Sequence, residues 1–234
     1  MAPLRTLVPA LVALGIATCG GAAQPAPAAT PTASPRVTAT PTAAPTATTA
    51  ATTIPGAITF TVATGSKAVV RVTEQLADRK DITDAVLTSE KVSGEFTLLP
   101  DGTFAPASKI VVDLSVLASD DRQRDQFIRQ DTLQTRQFPE ATLVLTKTEA
   151  LALPLAASGD LSFKLVGQMT VHGVTKEVTF DVKAKRTGAD LTATATVTPA
   201  LQFGTFGMQQ PRVFTVLSIK DEIRLEVQLV AKQM

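Results

Sequence analysis

Residues 167–182 read Gly167-Gln168-Met169-Thr170-Val171-His172-Gly173-Val174-Thr175-Lys176-Glu177-Val178-Thr179-Phe180-Asp181-Val182. Two runs rich in β-forming residues flank His172-Gly173, where the chain is expected to turn. Apolar side chains largely alternate with polar ones along both runs, which is typical of strands with one wet face and one dry face. The stretch therefore predicts a β-hairpin.

The same two-residue period extends over most of the chain after residue 57. About eight such strands, mostly at hairpin spacing, predict an all-β fold, either an antiparallel barrel or a sandwich. Val111 is one of the few residues that interrupt the alternation. The period covers residues 58–62, 92–98, 110–116, 143–145, 161–171, 178–182, 191–197 and 223–229.

One charged segment departs from this period and predicts a single short helix over about residues 120–130. Asp120 can cap its first turn, with Gln123 three residues later as in a capping box. Phe127 and Ile128 are its apolar pair, which we expect to pack against the sheet.

The N-terminus predicts export. Arg5 precedes a short apolar run over residues 7–17, and residues 1–19 have the pattern of a secretory signal peptide. Ile16-Ala17-Thr18-Cys19 resembles a bacterial lipobox, which implies a lipid anchor on Cys19 and a membrane-anchored lipoprotein facing the periplasm or the cell exterior. Ordinary cleavage near Ala22-Ala23 is the alternative, and it would give a secreted soluble protein.

Residues 20–56 consist mainly of Ala, Thr and Pro, with few large side chains to bury. Such a composition cannot offset the entropy of ordering, so it predicts a disordered, extended linker. The predicted organisation is thus a signal peptide with lipobox (1–19), a linker (20–56) and one β domain (57–234).

The composition argues against several function classes. The net charge is +1, and Trp and Tyr are absent, so a nucleic-acid-binding surface with basic and aromatic side chains is not expected. One His and one Cys are too few for a His/Cys zinc site, although they leave a carboxylate metal site open.

Three segments of the β domain match the motifs of one known family. Residues 169–182 are similar to that family's "L-T-I-H-G-V-T-K-P-V" hairpin. Residues 110–114, then Arg124-Asp125, then residues 138–143, are similar to its strand, "R-D-x-x-L" helix and "Y-P-x-I-x-F" return strand. Residues 203–208, followed by 221–227, are similar to its last loop and "V-G-D-E-V-x-L" strand. By these motifs the domain resembles the YceI-like family of bacterial polyisoprenoid-binding proteins.

The resemblance implies an eight-stranded, lipocalin-like antiparallel barrel whose lumen holds a long isoprenoid lipid, either a polyprenyl chain or a quinone, for transport or sequestration. No enzymatic activity and no other cofactor are expected. A barrel of this size has an interior that either side chains fill or one ligand occupies. The candidate lumen residues are Phe60, Phe96, Leu98, Ile110, Val112, Leu114, Phe127, Leu143, Leu145, Met169, Phe203, Phe206 and Met208.

A barrel whose interior is filled by its own side chains has the same alternation of apolar and polar residues as a hollow one. A structural or interaction barrel of the cell envelope, with a filled core, is therefore the alternative function. The small residues Gly94, Gly167, Ala193 and Ala195 are candidates for leaving room inside. His172 is expected to tie its turn by hydrogen bonds rather than to act in catalysis.

Two further expectations concern the helix. Asp125 and Arg129 are spaced to form a solvated ion pair. Arg124 is expected to fasten the helix to the barrel, with contact to a lipid head group as the alternative.

Overall fold

The computed structural model describes residues 54–78 and 80–234. The predicted signal peptide, Cys19 and the linker up to residue 53 lie outside the described residues. The described residues form ten strand segments: β1 (Ile58–Val62), β2 (Lys67–Leu76), β3 (Ile82–Ser89), β4 (Val92–Leu98), β5 (Lys109–Asp113), β6 (Glu140–Glu149), β7 (Ser158–Val171), β8 (Val174–Thr187), β9 (Asp190–Val197) and β10 (Val216–Gln233).

These segments form an eight-stranded, closed antiparallel barrel. The ring runs β1-β4-β5-β6-β7-β8-β9-β10 and closes where β1 pairs with β10. The hairpin β2–β3 extends this ring, because β2 continues along β10 after β1 and β3 pairs with β2. The predicted all-β barrel is confirmed, whereas the β2–β3 hairpin was not among the predicted strands.

The quoted stretch forms the β7–β8 hairpin, and its two strands extend well beyond it. Val171 pairs with Val174, so His172-Gly173 is a two-residue turn. Both turn residues have positive φ, +51° and +74°, as the tight hairpin turns that match strand twist require. Glycine accepts this conformation readily, and histidine does so less often.

The helix lies between β5 and β6 and is shorter than predicted. Helix α1 (Arg122–Phe127) continues directly into a π-helical turn, Ile128–Thr132. Its N-cap is Asp121, not Asp120 as predicted. A short 3-10 helix, Phe203–Phe206, precedes β10.

The core lies inside the barrel. Buried apolar side chains from the strands, including Phe60, Phe180 and Leu229, point inward with those of the 3-10 helix. Side chains on the outer faces are mostly polar, which explains the alternation in the sequence.

Candidate functional site: an apolar lumen

The barrel encloses a cavity of about 470 Å³. Every strand contributes to its wall, and helix α1 with the segment before β10 lies at one end. Nearly all of the wall is apolar. The exceptions are Glu74, Asp121, Gln123, Arg124, Thr132, Thr142, Thr148 and Thr215.

The structure brings all of the predicted lumen residues to this cavity. Most of them are buried, and Met169 is only 4% exposed. That they contact a ligand stays a prediction. The residues placed on the wall are Phe60, Phe96, Leu98, Ile110, Val112, Leu114, Phe127, Leu143, Leu145, Met169, Phe203, Phe206 and Met208.

The four small residues proposed to leave room divide into two pairs. Ala193 and Ala195 line the cavity, as expected. Gly94 and Gly167 are not among the lining residues; they allow neighbouring strands to approach instead. A Cβ atom on Gly94 would lie 2.2 Å from the carbonyl oxygen of Lys109, and one on Gly167 would lie 2.7 Å from that of Val144.

Sequence reasoning missed the part of the wall that comes from the β2–β3 hairpin. Val70, Val72, Glu74 and Leu76 all line the cavity, together with Leu87 of β3. Their two-residue spacing was a usable signal. The adjacent Val69 blurred it, because an apolar residue on each side of a strand hides the alternation.

One end of the barrel is closed by Arg186. Its side chain lies one inward-facing position beyond Ala184 and is buried. It donates hydrogen bonds to the carbonyl oxygens of Gly188 (3.0 Å) and Ala156 (3.1 Å) and to the side chain of Gln233. The guanidinium also lies 5.6 Å from the ring centroid of Phe60. Arg186 and these partners form a polar plug at this end.

The opposite end opens to solvent. The cavity wall there includes the exposed residues Asp121, Gln123 and Thr215. They lie on helix α1 and its cap and on the segment before β10, so the cavity has a mouth between these elements. A barrel that holds a guest needs a hollow interior with an outlet, and this cavity has both.

Helix α1 is positioned at the mouth by side chains of its first turn. The Asp121 carboxylate accepts hydrogen bonds from the backbone N–H groups of Gln123 (2.7 Å) and Arg124 (3.2 Å). The bonds from Arg124 and Gln123 hold the pKa of Asp121 below its ordinary value, because they stabilise the charged form.

Arg124 fastens the helix to the barrel, as predicted. Its Nη2 lies 2.7 Å from Glu74 Oε1 on β2, and its Nη1 lies 2.7 Å from Asp120 Oδ1. Both Glu74 and Arg124 line the cavity.

The predicted solvated pair between Asp125 and Arg129 was wrong. Asp125 is buried and accepts hydrogen bonds from the backbone N–H and the hydroxyl of Ser119 (2.8 and 2.7 Å). Arg129 donates to the carbonyl oxygen of Leu117 (2.7 Å). Each side chain thus anchors the helix to the loop before it. Because Asp125 bonds to Ser119 and Arg129 bonds to Leu117, the two do not form the predicted solvent-exposed ion pair.

His172 supports its turn by packing. Its ring lies 4.8 Å from that of Phe138 in an edge-on arrangement. Among the described residues its Nε2 is buried without a hydrogen-bond partner, so the predicted hydrogen bonding at this atom is not observed.

Within residues 54–78 and 80–234, no helix is long and apolar enough to cross a membrane. In the same residues, no three His, Cys, Asp or Glu side chains are grouped to hold a metal ion.

The fold is similar to two solved structures. One is a polyisoprenoid-binding domain from Saccharophagus degradans implicated in plant cell wall breakdown, with a TM-score of 0.58, 14% identity, and coverage of 75% of this chain and 98% of that chain. The other is BcnA of Burkholderia cenocepacia, with a TM-score of 0.55, 18% identity, and coverage of 73% and 99%. At these identities the likeness shows the fold alone.

Sequence comparison finds relatives among UPF0312 proteins. One from Pseudomonas putida (strain GB-1) is 33% identical over 131 residues, which are 53% of this chain and 64% of that relative. One from Vibrio vulnificus (strain YJ016) is 31% identical over 99 residues, 42% and 49% of the two chains. The matches therefore span less than two thirds of these relatives. The model of the YceI-like domain matches residues 73–231, more than half of the chain, and the chain belongs to the YceI-like family.

Proposed function

We propose that this chain binds a long-chain isoprenoid, a polyprenyl lipid or a quinone, inside its barrel, and that it carries or sequesters this lipid outside the cytoplasm. The observation that carries the proposal is the apolar cavity of about 470 Å³ with one open end. The polyisoprenoid-binding domain of Saccharophagus degradans, which shares the fold, supports the choice of ligand.

The physics of such a site requires no reactive group. Burying about 400 Å² of a prenyl chain at ~25 cal/mol per Å² contributes roughly 10 kcal/mol before association entropy is subtracted. The mechanism is reversible burial, in which no bond is made or broken, so we propose a binding protein and not an enzyme.

A structural barrel with a filled core is the alternative, and the open cavity argues against it. Organic extraction of the natively purified protein, followed by mass spectrometry, tests the two. We expect a long-chain isoprenoid at near-stoichiometric yield. A blank extract, combined with no uptake of added prenyl lipid, would favour the filled barrel.

Met169 gives a direct test of the lumen. Its side chain is buried on the cavity wall, so Met169→Trp places a larger ring in the space that the lipid requires. We expect at least a ~tenfold loss of affinity, while overpacking lowers the free energy of unfolding by no more than about 3 kcal/mol.

The matched control is Gln168→Trp. Gln168 is the preceding residue of β7, does not line the cavity, and forms an exposed hydrogen bond to Glu177. It receives the same side chain on the outer face. Lipid binding by titration and urea unfolding are measured on both variants. Unchanged affinity in folded Met169→Trp would contradict a ligand in this lumen.

We also propose that Cys19 carries the membrane anchor. The lipobox-like sequence before it supports this, and two or three acyl chains hold a protein at a membrane stably. Labelling with a clickable fatty acid should mark the wild type and not Cys19→Ser. Equal labelling of both would leave the secreted soluble form, cleaved near Ala22-Ala23, as the better proposal.

A further inference from the structure

A largely buried ion pair, Glu74 with Arg124, lies in the cavity wall beside the mouth. Glu74 projects from β2 with a side chain only 6% exposed, and its partner Arg124 is 18% exposed. Both line a cavity that is otherwise almost entirely apolar. A buried ion pair beside a lipid-sized cavity places hydrogen-bonding groups where the polar end of a guest would lie.

The charge of Arg124 is already compensated. Its Nη2 contacts Glu74 and its Nη1 contacts Asp120, each at 2.7 Å. The charged side chains on the cavity wall are Glu74, Asp121 and Arg124, so their formal sum is negative. A phosphate group entering this mouth would meet more carboxylate than guanidinium, which is unfavourable at short range.

The Glu74 carboxylate has capacity left for a donor. Oε1 accepts from Arg124 Nη2, and the described residues donate no hydrogen bond to Oε2. A carboxylate oxygen accepts but does not donate. A guest therefore fits this oxygen by donating a hydrogen bond, and an isoprenoid alcohol does so through its O–H. Hydrogen bonds to charged groups are the stronger ones.

We infer that Glu74 and Arg124 form the head-group site of the lumen and select an isoprenoid that ends in an uncharged hydroxyl over one that ends in a phosphate. The hydroxyl donates to Glu74 Oε2 and accepts from water at the mouth. This inference rests on the proposed function, since the prenyl chain must occupy the apolar lumen behind the pair.

The test compares three probes with one chain: geranylgeraniol, geranylgeranyl methyl ether and geranylgeranyl phosphate. The ether keeps the acceptor oxygen and lacks the donor. Each is delivered from methyl-β-cyclodextrin to the full chain, and bound lipid is measured at equilibrium. For the wild type we expect the alcohol to bind about tenfold more tightly than either the ether or the phosphate.

Variants assign this selectivity to Glu74. Glu74→Gln removes the charge and keeps the shape, so the alcohol-to-phosphate ratio should fall by about tenfold. Asp84→Asn is the control, because it removes one carboxylate charge from the outer face, where Asp84 pairs with Arg224, and it should leave the ratio unchanged. The wild-type comparison of alcohol with ether needs no variant, so it holds even if Glu74→Gln unfolds.

The outcomes separate the inference from the proposed function. Equal binding of the three probes by the wild type would overturn the head-group site and leave lipid binding intact. Tightest binding of the phosphate would overturn the selectivity in the same way. Binding of none of the probes would overturn the lipid-binding proposal itself.

Discussion

Gly94 lies where β4 passes close to β5. Its φ is +144°, and an added Cβ atom would approach the carbonyl oxygen of Lys109 to 2.2 Å, a distance that requires the backbone to move. The residue thus holds two strands together and does not open the lumen. Its sequence context could not reveal this, because a missing side chain suits both a void and a close strand approach.

Gly94→Ala should destabilise the barrel through this clash. Gly159 has a similar φ of +134° but nothing within 4 Å of an added Cβ, so Gly159→Ala carries the conformational strain alone. We expect Gly94→Ala to lower the free energy of unfolding by at least about 2 kcal/mol more than Gly159→Ala. Urea denaturation of the two variants measures the difference, and equal losses would show that the strands can separate freely.

The contacts of individual polar residues were harder to predict than those of apolar residues. Asp125 and Arg129 have a spacing that suits an ion pair, yet each bonds to the loop before the helix. Those partners, Ser119 and Leu117, come close only after the loop folds. The spacing of residues along a helix indicates which side chains are neighbours on its surface. It does not indicate which residues from other parts of the chain lie beside them.

Helix α1 depends on its N-cap. Asp120 and Asp121 are both suitable caps, so the sequence alone did not distinguish them, and the prediction was wrong by one residue. The structure places Asp121 on the N–H groups of the first turn, while Asp120 is 88% exposed and reaches Arg124.

Asp121→Ala should therefore destabilise the fold more than Asp120→Ala. Loss of a cap costs about 1 kcal/mol, whereas an exposed ion pair contributes about 0–1 kcal/mol. Thermal unfolding at neutral pH measures both variants. A larger loss for Asp120→Ala would contradict the observed cap.

The contribution of Asp121 should also depend on pH with a definite sign. Its folded-state pKa lies below the ordinary value of 3.8, so the stabilisation is complete above that value and is lost as the pH falls through the lowered pKa. The wild type and Asp121→Ala should then converge in stability in acid. A gap that persists to the lowest pH at which both remain folded would indicate another role for this side chain.

For the complete barrel, the two-residue period was enough to predict strands and, with the family resemblance, the closed sheet. This pattern could not show that the interior is hollow. An inward-facing apolar side chain gives the same sequence pattern whether it packs against another side chain or against a ligand. The mouth, with Glu74 and Arg124 fifty residues apart in the chain, likewise depends on the closure of the sheet. Only the assembled barrel brings these side chains together.

The end of the barrel opposite the mouth depends on the polar plug around Arg186. Arg186 connects β8 to the segment before β7 and to the end of β10. Arg186→Met keeps much of the length and removes the donors, which leaves their acceptors unpaired. We expect the free energy of unfolding to fall by about 2–3 kcal/mol, with isoprenoid binding largely retained because Arg186 does not line the cavity.

Arg224→Met is the matched control, since Arg224 is 39% exposed on the outer face and pairs with Asp84. Its loss should cost less than about 1 kcal/mol. Urea unfolding and lipid titration are measured on both variants. If Arg186→Met is as stable as Arg224→Met, the polar plug is not what holds this end closed. If it stays stable but loses lipid, the guest reaches further toward this end than the cavity does, and Arg186 belongs to the binding site.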